Sequence, residues 1–168
     1  MTNRAWASFV WSMGLALLSL NCSGGSAPSL PSFEDTYSGV LEEISKELEL
    51  GHSLAIHPLL GEVSWGPTGT AARMDAFNLF DTLLVDSLVA AHPTEYHLCA
   101  LTQLKNCDRD VDEVYVILSG AVELDEPRIG VLSLVFDHRS PSEVQKYYRA
   151  YLQPRWGRWR VTDFRRVN

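Results

Sequence analysis

The stretch from Val111 to Asn168 constrains the fold most, because its apolar residues recur at regular periods between clear breaks. Val114, Val116, Leu118, Val122 and Leu124 repeat at period two and predict a strand over Val111–Leu124. Asp125-Glu126-Pro127 turns the chain into a second strand, Arg128–His138. In that strand Leu132, Leu134 and Phe136 take one face while Ile129, Val131 and Val135 take the other, so both faces are expected to be covered. Ser140-Pro141-Ser142-Glu143 has the marks of a helix start: a capping Ser, Pro at the first helical position and Glu reaching back. Val144, Tyr147, Tyr148, Tyr151 and Leu152 then line one stripe, predicting an amphipathic helix over Ser140–Leu152. Trp156–Val167 closes the unit as a last strand. Phe164 is out of phase with Trp159 and Val161, which predicts a bulge near Thr162–Asp163.

Upstream, Val40, Leu41, Ile44 and Leu48 recur at helical spacing and predict a helix over Glu34–Leu50, with Gly51 as its stop. Ser53–Pro58 is a short strand that resumes at Glu62–Trp65. Gly66–Thr70 is a loop without the Lys-Ser/Thr ending of a phosphate-binding loop. Phe77, Phe80, Leu84 and Leu88 form a stripe that predicts a second, buried helix from Ala72 to Ala91, stopped at His92-Pro93. Tyr96–Leu104 alternates as a strand, and Asn106–Asp110 is a polar turn. Strands joined by short turns pair antiparallel. The expected body, 33–168, is therefore one α+β domain: a curved antiparallel sheet of four or five strands packed by two or three helices. In outline this is similar to cystatin-like and NTF2-like folds.

The first twenty residues have a different character. Arg4 precedes the apolar run Ala5–Leu20, which is short for a membrane span of roughly 20 residues and suits a secretory leader over 1–21. The segment Leu18-Ser19-Leu20-Asn21-Cys22-Ser23 that follows resembles the lipobox of bacterial lipoproteins. That pattern usually has Leu three residues before the cysteine and a small residue just before it, where this chain has Ser19 and Asn21. The resemblance implies that Cys22 carries acyl chains and becomes the mature N-terminus. Cleavage further on, near Ser26–Ala27, or an uncleaved anchor are the other readings of the same leader. Ser23–Ser32 is rich in Ser, Gly and Pro and reads as a flexible leash. The expected location is the cell envelope outside the cytoplasm, held to a membrane by lipid, or else secretion.

With Cys22 assigned to lipid, Cys99 and Cys107 remain, and an oxidising compartment lets them bridge. Such a short loop stabilises by about 2–3 kcal/mol. The pair has neither the C-x-x-C spacing nor the close His–Cys cluster of a redox or metal site.

Charge is unevenly spread. Glu34–Asp137 holds 5 basic and 19 acidic residues, whereas His138–Asn168 holds 8 basic and 2 acidic. The net charge of −7 argues against general nucleic-acid binding, since the chain would repel phosphate. A basic tail on an acidic body can mean a surface for a polyanion or lipid headgroups near the C-terminus. Since like charges on alternating strand positions seldom gather, the leading expectation is that the tail lies against acidic elements and balances them.

The five histidines form no metal-ligand pattern, and no serine sits in a G-x-S-x-G elbow. No cofactor is implied. Asp137-His138 at a strand end is the most suggestive pair, and with Tyr147 it gives the candidate pocket residues. The leading expectation is a non-enzymatic tethered domain that binds an envelope protein or a small ligand. One alternative is a small hydrolase or lyase using Asp137 and His138 in an NTF2-like cavity. Another is an assembly or pilot lipoprotein docking through its acidic first helix.

Overall fold

The computed structural model describes residues 31–66, 72–81, 83–102, 106–124, 127–142 and 144–167. The leader, Cys22 and most of the leash lie outside them.

Helix α1 (Phe33–Glu47) begins where Ser32 caps it, the Oγ accepting from the Asp35 amide at 3.0 Å. Val40, Leu41 and Ile44 on its inner face are wholly buried. Its end departs from expectation: Glu49, at φ 50°, takes the left-handed position that Gly51 was expected to supply. The Leu50 amide then reaches back to the Ser45 carbonyl at 3.1 Å, closing the helix in a Schellman pattern.

Strands follow: β1 (Leu54–Ile56), β2 (Leu59–Trp65) and β3 (Ala72–Asp81). Helix α2 (Leu83–Ala91) and strand β4 (Tyr96–Leu98) come next. The remainder is β5 (Val114–Leu118), β6 (Val122–Glu123), β7 (Ile129–Asp137), β8 (Gln145–Arg155) and β9 (Arg158–Val167). Seven strands make one sheet in the order β4-β1-β5-β7-β8-β9, with β6 continuing beside β7, while β2 and β3 form a separate hairpin. The α+β expectation of four or five antiparallel strands under two or three helices is corrected: strand dominates, with two short helices among the described residues. The sheet is also mixed, since β1 runs parallel to both β4 and β5.

Three sequence assignments fail for identifiable reasons. Ser140–Leu152 is not a helix; from Gln145 it is strand β8, paired along both edges by β7 and β9. Tyr147/Tyr151 and Tyr148/Leu152 are four apart, and four is a multiple of the strand period as well as about one helical turn. Ala72–Ala91 is half strand: 72–81 pairs with β2 from Trp65↔Ala72 to Leu59↔Asp81, and the helix starts only at Leu83. An apolar run carries no reliable period when tertiary partners cover it. The strand expected over Tyr96–Leu104 stops at Leu98, and Val111–Leu124 divides into β5 and β6 around Ser119-Gly120-Ala121.

The bulge stands where expected. Tyr151 pairs with Asp163 and Leu152 with Val161, leaving Thr162 as the extra residue of β9. The last strand starts at Arg158, because Trp156 and Gly157 form the turn before it.

The sheet has two covered faces. Val116, Leu118, Val131, Val135, Tyr148 and Leu152 pack under α1 and α2. Tyr115, Ile117, Leu132 and Leu134 face the other way, toward Met74 of the β2–β3 hairpin and the Cys99–Cys107 bridge. Neither cover reaches across this second face completely, and that opening positions the candidate site.

Candidate functional site

Cys99 and Cys107 form a disulfide with Cα atoms 5.5 Å apart. The bridge and the turn beyond it overhang the second sheet face near the start of β5. Between this overhang and β5, β7 and β8 opens a cleft of about 1050 Å³. Its floor is Tyr115, Ile117, Leu134 and Phe136, its far wall His138 and Tyr147. Polar groups of Asn106, Asp108, Arg109, Asp110 and Gln145 border it.

Strand alternation explains this floor. Phe136 lies opposite Tyr115 and Tyr147 opposite Leu134, and cross-strand partners share a face. The rings are ordered: Tyr115 and Phe136 stack at 4.6 Å and 14°, and the His138 ring lies 6.4 Å from Phe136 at 21°. Burial pushes the Tyr115 hydroxyl pKa upward, so at neutral pH the phenol stays protonated and can donate. The cleft thus offers a ladder of ring faces in a polar frame.

The candidate trio is divided by this geometry. His138 and Tyr147 share the cleft, whereas Asp137 points to the helix-covered face and is 3 % exposed. There Arg139 holds it through Nε at 2.9 Å and Nη2 at 3.0 Å, and Lys146 Nζ lies 3.1 Å from its second oxygen. The hydrogen-bonded guanidinium of Arg139 is the main cause that lowers the Asp137 carboxyl to about 2; burial opposes it and Lys146 adds to it. Arg139 also donates to the Leu48 carbonyl at 3.3 Å, tying the end of α1 to the end of β7. Asp137 is therefore a structural anion, away from the side chains it was grouped with.

One polar constellation escaped the sequence reading. Ser53 Oγ lies 3.0 Å from His97 Nδ1, and His97 Nε2 lies 2.9 Å from Asp112 Oδ1. The other Asp112 oxygen accepts from the Ala100 amide at 2.8 Å. Because an ionised carboxylate only accepts, the neutral imidazole carries its proton on Nε2 and takes the Ser53 hydroxyl on Nδ1. These residue types serve acyl transfer elsewhere. Here neither the aromatic cleft nor the α1–β9 groove is lined by Ser53 or His97. The chain of bonds instead joins the starts of β1 and β5 to edge strand β4 and the disulfide loop. No sequence spacing reveals it, since parallel pairing of β1 with β4 and β5 is what brings the three together.

The α1–β9 groove, of about 730 Å³, is lined by Glu42, Glu43, Lys46, His92 and Trp159 among others. Its lysine is already satisfied, with Glu42 at 2.8 Å and Glu43 at 3.1 Å. Among the described residues no group of three or more His, Cys, Asp or Glu is placed to hold a metal ion. None of their helices is long and apolar enough to cross a membrane. No family model, no curated protein and no solved structure matches the chain.

Proposed function

We propose that this chain is a lipid-tethered envelope protein whose folded domain binds a small ring-shaped ligand, without catalysis, in the aromatic cleft. The observation that carries the reading is the Tyr115–Phe136–His138 ring ladder, walled by Tyr147 and framed by polar side chains. Aromatic faces attract flat or CH-rich rings, and the polar frame of Asn106, Asp108 and Gln145 suits hydroxyl or amine substituents. The leader that resembles a lipobox, with Cys22 as the acylated residue, supports the tether. A disulfide-bonded pair in the body is consistent with an oxidising compartment.

Ligand-observed NMR on a mixture of sugars and hydroxylated or aminated aromatic compounds tests the site. Saturation transfer to at least one class is expected, with affinity falling about tenfold in a His138→Ala/Tyr147→Ala protein. Binding that is unchanged by the double substitution would move the site elsewhere.

A further inference from the structure

We infer that the β8–β9 turn, with Trp156 at its tip, is a contact for an anionic lipid surface. Trp156 is 95 % exposed, and with Gly157 it forms a two-residue turn in which both residues have positive φ, 51° and 76°. Hairpins favour such turns, but Asn, Asp or Gly normally fill both positions. A bulky aromatic there is strained, and it gains no burial in return. Register adds a second unfavourable choice: Arg155 lies directly opposite Arg158, a like-charge cross-strand pair. Arg160, one step further on the same face, pairs with Gln153. Alternation along the strand places these arginines on one face. Arg158 and Arg160 also border the α1–β9 groove with Asp35, Glu42, Glu43 and Glu95, in keeping with the balanced tail expected from sequence, whereas Arg155 does not line that groove. Local choices that cost stability at one place mark a place kept for another purpose.

The position of this tip identifies the partner. Pro31 and Phe33, where the chain enters α1, share a small apolar pocket with Ile129 at the start of β7. The other end of α1 is tied to Arg139 at the finish of β7. Helix α1 therefore runs along β7 from its Ile129 end, and Ile129 pairs with Leu152, just before the β8–β9 turn. The chain enters the domain at the pole from which Trp156 projects. A membrane tether attached ahead of Pro31 would turn this pole toward the lipid. Trp suits the headgroup boundary, and arginines beside it suit anionic headgroups. A bilayer meets the tip alone, so the net charge of −7 on the whole chain, screened beyond a Debye length, weighs less against it than against a long nucleic acid that tracks the surface.

The orientation argument rests on the tethered reading, and the test separates the two. The full chain, purified from membranes, is reconstituted into phosphatidylcholine vesicles with about a third phosphatidylglycerol and brominated acyl chains. In a chain that begins at Cys22 the tryptophans are Trp65, Trp156 and Trp159, so subtracting a Trp156→Phe protein isolates about a third of the emission. That difference is expected to be quenched by about half or more, and to recover in pure phosphatidylcholine or in an Arg155→Ser/Arg158→Ser/Arg160→Ser protein. Trp156→Asn should raise Tm by about 2–4 °C, because Asn tolerates the left-handed backbone; an unchanged or lower Tm would remove the strain on which the inference rests. Unquenched Trp156 in a chain whose mass shows acylated Cys22 would overturn the lipid contact and leave the tether standing. A chain lacking acylation but still quenched at Trp156 would remove the tether and keep the contact. Emission that responds to duplex DNA and not to anionic vesicles would also overturn it.

Discussion

Asp137→Asn is expected to cost about 2–3 kcal/mol of stability at pH 7, since it leaves Lys146 and Arg139 facing an uncharged group on the covered face. The Lys146 side chain is 15 % exposed and Asp137's 5 %, whereas Arg139's is 35 %, so water recovers part of what Arg139 loses and little of what Lys146 loses. The pH dependence distinguishes this charge effect from a change of shape. The folded-state carboxyl titrates at about 2 against about 3.9 in the unfolded chain. A depressed carboxylate contributes stability that is complete above the unfolded value and is lost as pH falls through the folded one. Linkage puts that contribution at about 2–3 kcal/mol, disappearing between about pH 4 and pH 2. Urea denaturation of both proteins across this window should show the gap narrowing toward acid. A gap that stays constant with pH would assign Asp137 a packing role instead.

Gly130→Ala is the second large effect. A Cβ on Gly130 would lie 2.6 Å from two atoms of the Trp65 ring and 3.0 Å from a Leu124 methyl. Those separations are far inside van der Waals contact, so the indole must leave its seat. Trp65 ends β2, and its ring lies 6.0 Å from that of Tyr151, closing the β2–β3 hairpin onto the sheet. Displacing it should cost about 2–3 kcal/mol through overpacking and lost contact. A double-mutant cycle with Trp65→Phe checks the mechanism. The smaller ring should recover part of the loss, giving a coupling energy above about 1 kcal/mol. Strict additivity would mean that the alanine is absorbed elsewhere.

How far the sequence disclosed this depends on the range of the interaction. The α1 stripe, the bulge near Thr162–Asp163 and the Cys99–Cys107 bridge are local patterns, and each is found where expected, while the Ser32 cap was passed over as part of the leash. The helix expected at Ser140–Leu152 failed because its tyrosines are spaced in a way that satisfies both periods. Only pairing with β7 and β9 decides between them. Parallel pairing of β1 with β4 and β5 joins segments about forty and sixty residues apart, and no local signal encodes it. With it went the Ser53–His97–Asp112 chain. The division of the candidate site was legible in principle: neighbours in a strand point to opposite faces, so Asp137 and His138 could not both enter one cleft unless the strand ended between them. Tyr147 was reached from the wrong element, and joined His138 only because β8 is a strand.

The tethered, oxidised state is tested most directly by the intact mass of the mature protein extracted from cell membranes. The account predicts a chain that begins at Cys22, carries the added mass of acyl chains and lacks the two hydrogens lost in bridging Cys99 and Cys107. A chain still starting at Met1, with Cys22 unmodified and all three thiols free, would contradict it.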